Sequence, residues 1–307
     1  MDKYTRIDFR DQIARNKRKS FFMIFLIFLI FLILGYVISL AIDPSLTFII
    51  MIFAIIISIL YVTISFYNSH KIAIASVGAK PASRNEHKMF YDLVEGLTIA
   101  SGLPMPKLYV MPSNQINAFA SGRNPKHAVV CVTEGALEKL DRRELEGVLA
   151  HELGHIGNYD MRYMTVIAVM VGMIAIVSEI FLRSLWFSGG SRGNSDNNKA
   201  QAIFLIIGIL LAILAPIVVY LVQLSISRKH EYSADATAVK FTRNPQGLIN
   251  ALKKIKSDYE KPNEGTMQKQ KNKPSKALTP LFFANPFKNL GSTHPPIEKR
   301  ISALERM

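Results

Sequence analysis

The sequence predicts a mostly helical α+β membrane protein with two transmembrane hairpins (about four spans) and one domain that contains a small β-sheet. Three observations support this fold class. Half of the 307 residues are hydrophobic, and the mean hydropathy of the chain is positive. Long uncharged, apolar runs occur in two pairs, and the runs of the first pair are long enough to cross a bilayer. The segments between and after these pairs show strand patterns and amphipathic helices, which are typical of a folded domain.

The net charge of +14 and the single cysteine narrow the classes of function. Basic residues cluster beside the apolar segments and accompany no nucleic-acid-binding motif. We therefore expect the lipid bilayer, and no nucleic acid, as a partner. The single cysteine, Cys131, excludes an intrachain disulfide framework and a cysteine-rich zinc site. It lies in the apolar run 128–133, where we expect a packed strand residue.

The first two apolar runs predict a transmembrane hairpin over residues 21–68. The run 21–42 has no charge over 22 residues, which is about 33 Å as a helix and enough to span a bilayer. It is too long for the apolar core of a signal peptide, which is the competing interpretation. A tight turn at 43–45 separates it from the second uncharged run, 46–67.

Basic residues orient this hairpin. Residues 1–20 form a basic tail with seven Lys or Arg, whereas the turn at 43–45 has none, and basic residues resume after the second run. By the positive-inside rule, both ends of the hairpin lie in the cytoplasm. We expect the domain that follows to lie there too.

Residues 69–160 predict the first part of that domain. Residues 86–101 carry apolar side chains at helical spacing and predict an amphipathic helix. Short apolar segments at 107–111, 116–121 and 128–133 predict three strands, and the last is apolar enough to be central in a sheet.

A five-residue motif at 151–155, His-Glu-Leu-Gly-His, closes this part of the domain. Asp141, with Glu144 three residues later, forms a capping-box pattern, and apolar residues follow at helical spacing. The motif therefore lies on a helix. On a helix, His151 and His155 project from one face, about one turn apart.

Two imidazoles at this spacing can bind one metal ion. Glu152 cannot bind in the same geometry, but it can reach a water on the metal. This is the H-E-x-x-H arrangement of zinc peptidases, with two ligands and a general base. A chance match to five letters is the alternative, and the helix start in the required place weakens it.

Residues 161–225 predict a second hydrophobic hairpin. Its apolar runs are 163–178 and 202–222, with a polar loop at 188–199 between them. Two charged residues after the first run leave it open whether this hairpin spans fully, inserts partly or packs against the domain.

Residues 226–307 predict the second part of the domain. Glu231 and Asp235 are four residues apart and share a face on a helix. Catalytic zinc commonly takes three protein ligands, which makes Glu231 the candidate third ligand after His151 and His155. Asp235 is the candidate partner for the other ring nitrogen of a ligand histidine. Taken alone, the segment would also fit a solvated charged face.

One strand is the candidate substrate edge. Peptidases often bind substrate as an added strand on a sheet edge near the metal, because backbone pairing tolerates any sequence. An ordinary interior strand is the alternative, and the sequence does not separate the two. The residues of this segment are Asn117, Ala118, Phe119, Ala120 and Ser121.

These motifs, in this order, resemble the HtpX family of integral-membrane zinc metalloproteases, which are gluzincins related to the CAAX prenyl endopeptidases. The resemblance covers nearly the whole chain, including both hydrophobic pairs. It is carried by Asn117-Ala118-Phe119-Ala120-Ser121-Gly122, by the strand ending in Val132-Thr133, by His151-Glu152-Leu153-Gly154-His155 with Asn158 and Asp160 after it, by Glu231-Tyr232-Ser233-Ala234-Asp235, and by Thr293-His294-Pro295-Pro296.

The resemblance implies a zincin-like catalytic domain in a multi-pass protein of the bacterial cytoplasmic membrane, with the active site facing the cytoplasm. It implies an endopeptidase that acts on misfolded or damaged membrane proteins in quality control. It also implies one zinc ion per chain, with His151, His155 and Glu231 as ligands.

The resemblance assigns roles to further residues. It implies that Asn158 and Asp160 lie next to the metal ligands. It also implies that His294, and Arg300 six residues later, lie near the zinc and stabilise the tetrahedral oxyanion or contact substrate. Tyr159 departs from the pattern, because relatives often have Gly at this position.

The last third of the chain predicts one connector and one helix. The segment 253–276 is rich in Lys, Asn and Pro, and it predicts a mobile basic connector. Residues 297–304 predict a short helix, with Pro296 near its start.

The mechanism expected from these residues is hydrolysis of peptide bonds by zinc-activated water. Glu152 takes a proton from that water and passes it to the leaving amine. Two other classes of protein stay open. An intramembrane protease of the site-2 type would place the motif inside an apolar span, and the polar residues 141–144 argue against it. A non-catalytic membrane protein with structural zinc would not require Glu152.

Overall fold

The computed structural model describes residues 44–162, 164–165, 228–260, 282–283 and 295–307, together with scattered positions between 14 and 36. Within this part, the helices are α1 (Thr47–Ser76), α2 (Lys88–Ser101), α3 (Glu134–Lys139), α4 (Arg142–Gly157), α5 (Arg228–Thr242), α6 (Pro245–Glu260) and α7 (Ile297–Leu304). The strands are β1 (Lys80–Pro81), β2 (Lys107–Met111), β3 (Ala118–Gly122) and β4 (Ala128–Thr133). The prediction of a mostly helical chain with a small sheet is confirmed.

Helix α1 is long and apolar enough to cross a membrane. Its 30 residues correspond to about 45 Å, and its apolar stretch has a mean hydropathy of 2.8. Phe48 and Phe53 are 78% and 60% exposed, as is typical of a surface that faces lipid. Within the described residues, α1 is the only helix with this length and composition.

The last turns of α1 leave this apolar stretch and pack on the sheet. Ala73, Ile74 and Val77 are buried against Met111 and Phe119 of the strands. Helix α1 therefore connects the apolar segment directly to the folded domain, with no linker between them.

The four strands form one mixed sheet in the order β1-β2-β4-β3. The β1–β2 and β4–β3 pairs are antiparallel, and the β2–β4 pair is parallel. Strand β4 is central, as its largely apolar sequence predicted, because a central strand is covered on both faces. Within the described chain, β3 lies at an edge, which is the position that the substrate-edge hypothesis requires.

The two faces of the sheet bury alternate residues of each strand. On one face, Val130 and Val132 of β4 and Ala118 of β3 pack in the main core, together with residues of α2, α4 and α6. On the other face, Cys131 and Phe119 pack against the end of α1. Cys131 is a fully buried strand residue, as predicted.

Helix α4 carries the five-residue motif and begins where the capping pattern predicted. The Asp141 carboxylate accepts hydrogen bonds from the backbone N–H groups of Arg143 and Glu144, each at 2.9 Å. The Glu144 carboxylate accepts the Asp141 N–H at 2.8 Å, which completes the capping box. Within the motif, Gly154 allows α5 to approach, because a Cβ there would lie 3.2 Å from the carbonyl oxygen of Ala234.

Tyr159 follows the end of α4 in an unusual conformation. Its φ is +60°, in the left-handed region that favours glycine. The Lys17 ammonium lies 4.6 Å from the centre of the tyrosine ring, so the N-terminal segment contacts this turn.

The predicted basic connector begins too early. Helix α6 continues to Glu260, so the prediction is wrong for residues 253–260. Leu252 and Ile255 are buried in the main core, and Lys253 and Lys254 are exposed on the opposite side. Helical periodicity, rather than lysine-rich composition, was the better guide here.

Several predicted segments lie outside the described residues. Residues 47–67 of the predicted run 46–67 lie within the longer helix α1, and Leu46 precedes its first turn. The segments that the structure leaves undescribed include much of 21–42, most of the hairpin 161–225 with its loop 188–199, and the rest of the connector, 261–276.

Candidate metal centre

Helices α4 and α5 bring three candidate ligands together. His151 and His155 project from α4, and Glu231 projects from the first turn of α5. The two Nε2 atoms lie 3.0 Å apart. The carboxylate of Glu231 lies 3.7 Å from Nε2 of His151 and 3.5 Å from Nε2 of His155. One ligand atom from each residue falls within 4.8 Å of the other two.

This donor set fits a metal ion. Two imidazole nitrogens and a carboxylate oxygen are a set found in catalytic zinc sites, where a fourth position is left for water or substrate. His151, His155 and Glu231 are 0%, 6% and 1% exposed. An ion bound between them would be shielded from bulk water, which strengthens its electrostatic effect.

Asp235, one turn after Glu231, contacts the outer nitrogen of His151. Nδ1 of His151 lies 2.8 Å from the Asp235 carboxylate, so Nε2 is left to face the other two candidate ligands. Arg300 of α7 donates to both Asp235 oxygens, at 2.9 and 2.6 Å, and it lies 3.3 Å from Glu231. Asp235 is therefore held in a buried, bidentate ion pair behind the histidine.

These contacts set the protonation states on this side of the centre. Burial lowers the pKa of His151 to about 4, and the charge of Arg300 adds to this effect. Burial alone would raise the pKa of Asp235, but Arg300 and the hydrogen bond to His151 hold that pKa below its usual value. His151 is therefore neutral at pH 7, which is the form that binds a metal.

Asp160 supports the other histidine. Its carboxylate lies 3.4 Å from Nδ1 of His155, contacts Nδ1 of His230, and accepts a 2.6 Å hydrogen bond from the Asn16 amide. The same amide donates to the backbone oxygen of Asn158 at 3.2 Å. Asn16 and Asp160 are both buried. The N-terminal segment thus contacts Asp160, the residue that orients His155.

Glu152 lies in the same buried region and is 2% exposed. Burial raises its pKa to about 7, an effect that His155 opposes and Glu231 increases. The backbone N–H of Ala120, on the edge strand β3, donates to the Glu152 carboxylate. A carboxyl group with a pKa near 7 can both accept and release a proton at neutral pH.

The remaining predicted site residues take different positions. Asn158 caps the end of α4, and its side chain donates to Ser233 Oγ at 3.4 Å rather than to a ligand histidine. Arg300 lies on the Asp235 side of His151, 3.2 Å from its Nδ1. His294 lies outside the described residues.

Three residues near the centre did not stand out in the sequence. His230 precedes Glu231, and its place beside a candidate ligand was the one available signal. Asn16 lies 142 positions from Asn158, within a basic tail that shows no local pattern for such a contact. The Phe283 ring lies 4.9 Å from the His151 ring, and no motif or periodicity marked its segment.

The H-E-x-x-H helix and the glutamate from a second helix are typical of metalloproteases. The long, exposed apolar helix α1 places the chain among the membrane-bound members of this class. A comparison with family models makes the assignment specific. The chain belongs to peptidase family M48, whose model matches residues 85–307.

Individual relatives extend the match over nearly the whole chain. "Protease HtpX homolog" of Thermoanaerobacter pseudethanolicus is 42% identical over 298 residues, which cover 96% of each chain. Proteins of the same name from Ligilactobacillus salivarius and Listeria monocytogenes are 37% and 39% identical, over 96% and 97% of this chain and 99% of their own. The crystal structure of S. mikatae Ste24p aligns with 96% of this chain and 66% of its own, with a TM-score of 0.47 at 19% identity.

These findings confirm the family resemblance that the motifs indicated. The protein is a membrane metalloprotease, its substrates are proteins, and it uses a metal ion.

Proposed function

We propose that the protein is a zinc-dependent endopeptidase that hydrolyses peptide bonds of misfolded or damaged membrane proteins, with Glu152 as the general base. The observation that carries the proposal is the approach of His151, His155 and Glu231 to within 4.8 Å, next to the buried Glu152. Zinc is favoured because two histidines and one glutamate with an open position form a donor set of catalytic zinc.

The chemistry follows from the protonation states of these residues. When bound, zinc supplies a Lewis acid that polarises the scissile carbonyl and acidifies water. Glu152 accepts a proton from the attacking water and transfers it to the leaving amine. Asp235 and Asp160 orient the two imidazoles through Nδ1, so that each Nε2 faces the ion.

The contacts of Arg300 favour a positioning role over stabilisation of the oxyanion. It is 1% exposed, and it bridges the carboxylates of Asp235 and Glu231. In this role Arg300 holds the candidate ligand Glu231 in place, and it also holds Asp235, which orients the candidate ligand His151. His294 is proposed as the oxyanion or substrate contact on the family resemblance alone.

Strand β3 is the proposed binding edge for substrate, through the segment Asn117–Ser121. The Ala120 N–H on this strand donates to the Glu152 carboxylate. A peptide that adds to this edge would therefore pass close to the general base, as the reaction requires.

We propose that the protein is a multi-pass protein of the bacterial cytoplasmic membrane, with its active site in the cytoplasm and the lipid bilayer as a partner. The seven basic residues within 1–20 support this orientation. Arg123 and Arg162 lie 4.5 and 5.2 Å from the rings of Tyr67 and Phe66, at the end of the uncharged run of α1. Cations at this depth would meet lipid headgroups.

The start of α4 disfavours the intramembrane alternative. Asp141, Arg142 and Arg143 are exposed, and charged groups of this kind belong in water rather than at the centre of a bilayer.

The test compares the wild type with Glu152→Gln in detergent, using zinc content and cleavage of casein as an unfolded reporter. Glutamine keeps the size of the side chain but cannot accept the proton. We expect one zinc ion in both proteins and a loss of about 10²–10⁴-fold in cleavage by the variant.

Glu146→Gln, at a partly exposed glutamate of the same helix, is the matched control and should cleave at the wild-type rate. Wild-type cleavage by Glu152→Gln would contradict the assigned base. Bound zinc with no cleavage by any of the three proteins would favour a non-catalytic zinc protein.

A further inference from the structure

The chain itself occupies the edge of the sheet beside the candidate metal centre. We propose that Phe282–Phe283 sits on β3 in place of a substrate strand, and that two subsites there accept neighbouring aromatic side chains of unfolded polypeptide. This inference rests on the proposed peptidase function, and it names the substrate class and the segment that competes with it.

The first observation is a backbone contact. Strand β3 pairs with β4 along one side only within the described residues, from Ala118 opposite Val132 to Gly122 opposite Ala128. The Phe283 N–H donates to the carbonyl oxygen of Ala118 at 2.8 Å. A substrate that added a strand to this edge would use the same carbonyl, because strand addition depends on main-chain hydrogen bonds.

The second observation is the direction of the two side chains. The Phe282 ring lies 5.3 Å from the Phe119 ring, in the cluster between the sheet and α1. The Phe283 ring belongs to the main core on the other face, 4.9 Å from the His151 ring. The backbone bends at this pair rather than forming a regular strand, but the two rings lie on opposite faces of the sheet, as two consecutive side chains of an added substrate strand would.

The third observation is the short distance from Phe282–Phe283 to the candidate ligand His151 and the proposed general base Glu152. The Phe283 ring contacts a candidate ligand, His151, and the Arg300 guanidinium lies 4.6 Å from the ring centre. The contact to Glu152 comes from Ala120, two residues along β3 from the carbonyl that Phe283 uses. Two residues of strand span about 7 Å. A chain that lies where Phe282–Phe283 lies is therefore within reach of the general base.

These subsites favour a particular kind of substrate. One is formed by the Phe119 ring, and the other by the His151 ring under the Arg300 guanidinium, which provides a cation–π contact. Both phenylalanines are nearly fully buried, at 2% and 3% exposed. In folded proteins such pairs lie inside, so an extended segment that presents two neighbouring aromatic residues comes from an unfolded protein.

Occupancy by the chain itself has a kinetic consequence. A substrate strand must displace Phe282–Phe283, so its apparent affinity is reduced by the fraction of molecules in which the edge is free. Weakening the contact between Phe283 and the site should therefore increase kcat/KM for peptides.

The first experiment compares Phe283→Ala with the wild type on a short fluorogenic peptide, in detergent and with zinc content measured. We expect kcat/KM to rise about tenfold, mainly through a lower KM. Phe90→Ala is the matched control, because Phe90 is an equally buried phenyl ring on α2, away from the edge strand. It should lower Tm without raising kcat/KM.

The second experiment is independent of cleavage. A fluorescent peptide with the sequence of residues 279–286 should bind Phe282→Ala/Phe283→Ala at least about tenfold more tightly than the wild type. The same peptide with both phenylalanines replaced by alanine should not bind. Fluorescence anisotropy reads the result, even if no protein in the series cleaves any substrate.

The outcomes separate this inference from the proposed function. Absence of cleavage by every zinc-loaded protein would contradict the peptidase function, and the peptide binding would still decide the inference. A folded Phe283→Ala variant with wild-type kcat/KM, together with no peptide binding, would overturn the inference.

If the alanine variants lose cooperative melting, cleavage-site profiling of the wild type decides instead. It should show aromatic residues enriched within about two positions of the cleaved bond, since each subsite contacts one strand residue, and a profile without this enrichment would overturn the inference.

Discussion

The two candidate ligand histidines are supported in different ways. His151 is supported from within the domain, by Asp235 at 2.8 Å, which Arg300 holds through two hydrogen bonds. His155 is supported by Asp160 at 3.4 Å. Asp160 is also shared with two further residues, of which Asn16 comes from the N-terminal segment.

The difference indicates which parts of the chain control each half of the centre. The short, charge-assisted contacts to His151 depend on α7, near the C-terminal end of the domain. The longer contact to His155 depends on a residue that precedes the first apolar run. A substitution in the N-terminal segment should therefore weaken the orientation of His155 more than that of His151.

The largest effect is expected from Arg300→Met. The change leaves Asp235 buried without its cationic partner, and breaking a buried ion pair in this way costs about 3–5 kcal/mol in the free energy of unfolding. Unfolding by denaturant in detergent measures the loss. Arg306→Met, at an exposed arginine next to the same helix, is the control and should be as stable as the wild type. Equal stability of the two variants would show that the ion pair does not stabilise the centre.

An intermediate effect is expected from substituting the two aspartates. Asp235→Asn and Asp160→Asn each weaken the orientation of one histidine, and such changes typically cost about 10–100-fold in metal affinity. We expect the larger loss for Asp235→Asn, because its contact to the histidine is shorter. Competition with a chelating dye measures the zinc affinity. Equal zinc affinities of the two variants, or a lower affinity for Asp160→Asn, would contradict the proposed difference between the contacts of Asp235 and Asp160.

The smallest effect is expected from Asn16→Ala. It removes one hydrogen bond to Asp160, worth about 1 kcal/mol, or about fivefold in zinc affinity. Arg18→Ala, at an exposed residue of the same segment, should leave the affinity unchanged. If the two variants bind zinc equally well, the N-terminal segment does not contribute to the support of His155.

Local patterns predicted the parts of the site that one helix provides. The pairing of Asp141 with Glu144 fixed the start of α4, and the i, i+4 spacing of His151 and His155 placed both on one face. Glu231 was predicted from the number of ligands that catalytic zinc takes, because it follows the motif on a second helix that was expected on the same side of the membrane.

Contacts between distant parts of the chain could not be predicted in this way. Arg300 is 65 positions from Asp235, and Asn16 is 144 from Asp160, so no helical or strand period relates them. The contact of Phe283 with β3 depends on strand order, which periodicity does not report. Lysine-rich composition does not mark the start of the connector, because Leu252 and Ile255 form an apolar face that packs in the main core within α6, which continues to Glu260.

X-ray absorption at the zinc edge on the purified wild type tests the central claim most directly, namely that His151, His155 and Glu231 hold the ion. We expect two imidazole nitrogens and one carboxylate oxygen at about 2.0–2.2 Å, with water completing the shell. Glu231→Ala should lose the carboxylate scatterer or the zinc itself. A sulfur ligand at about 2.3 Å, or a spectrum that Glu231→Ala leaves unchanged, would contradict the assigned centre.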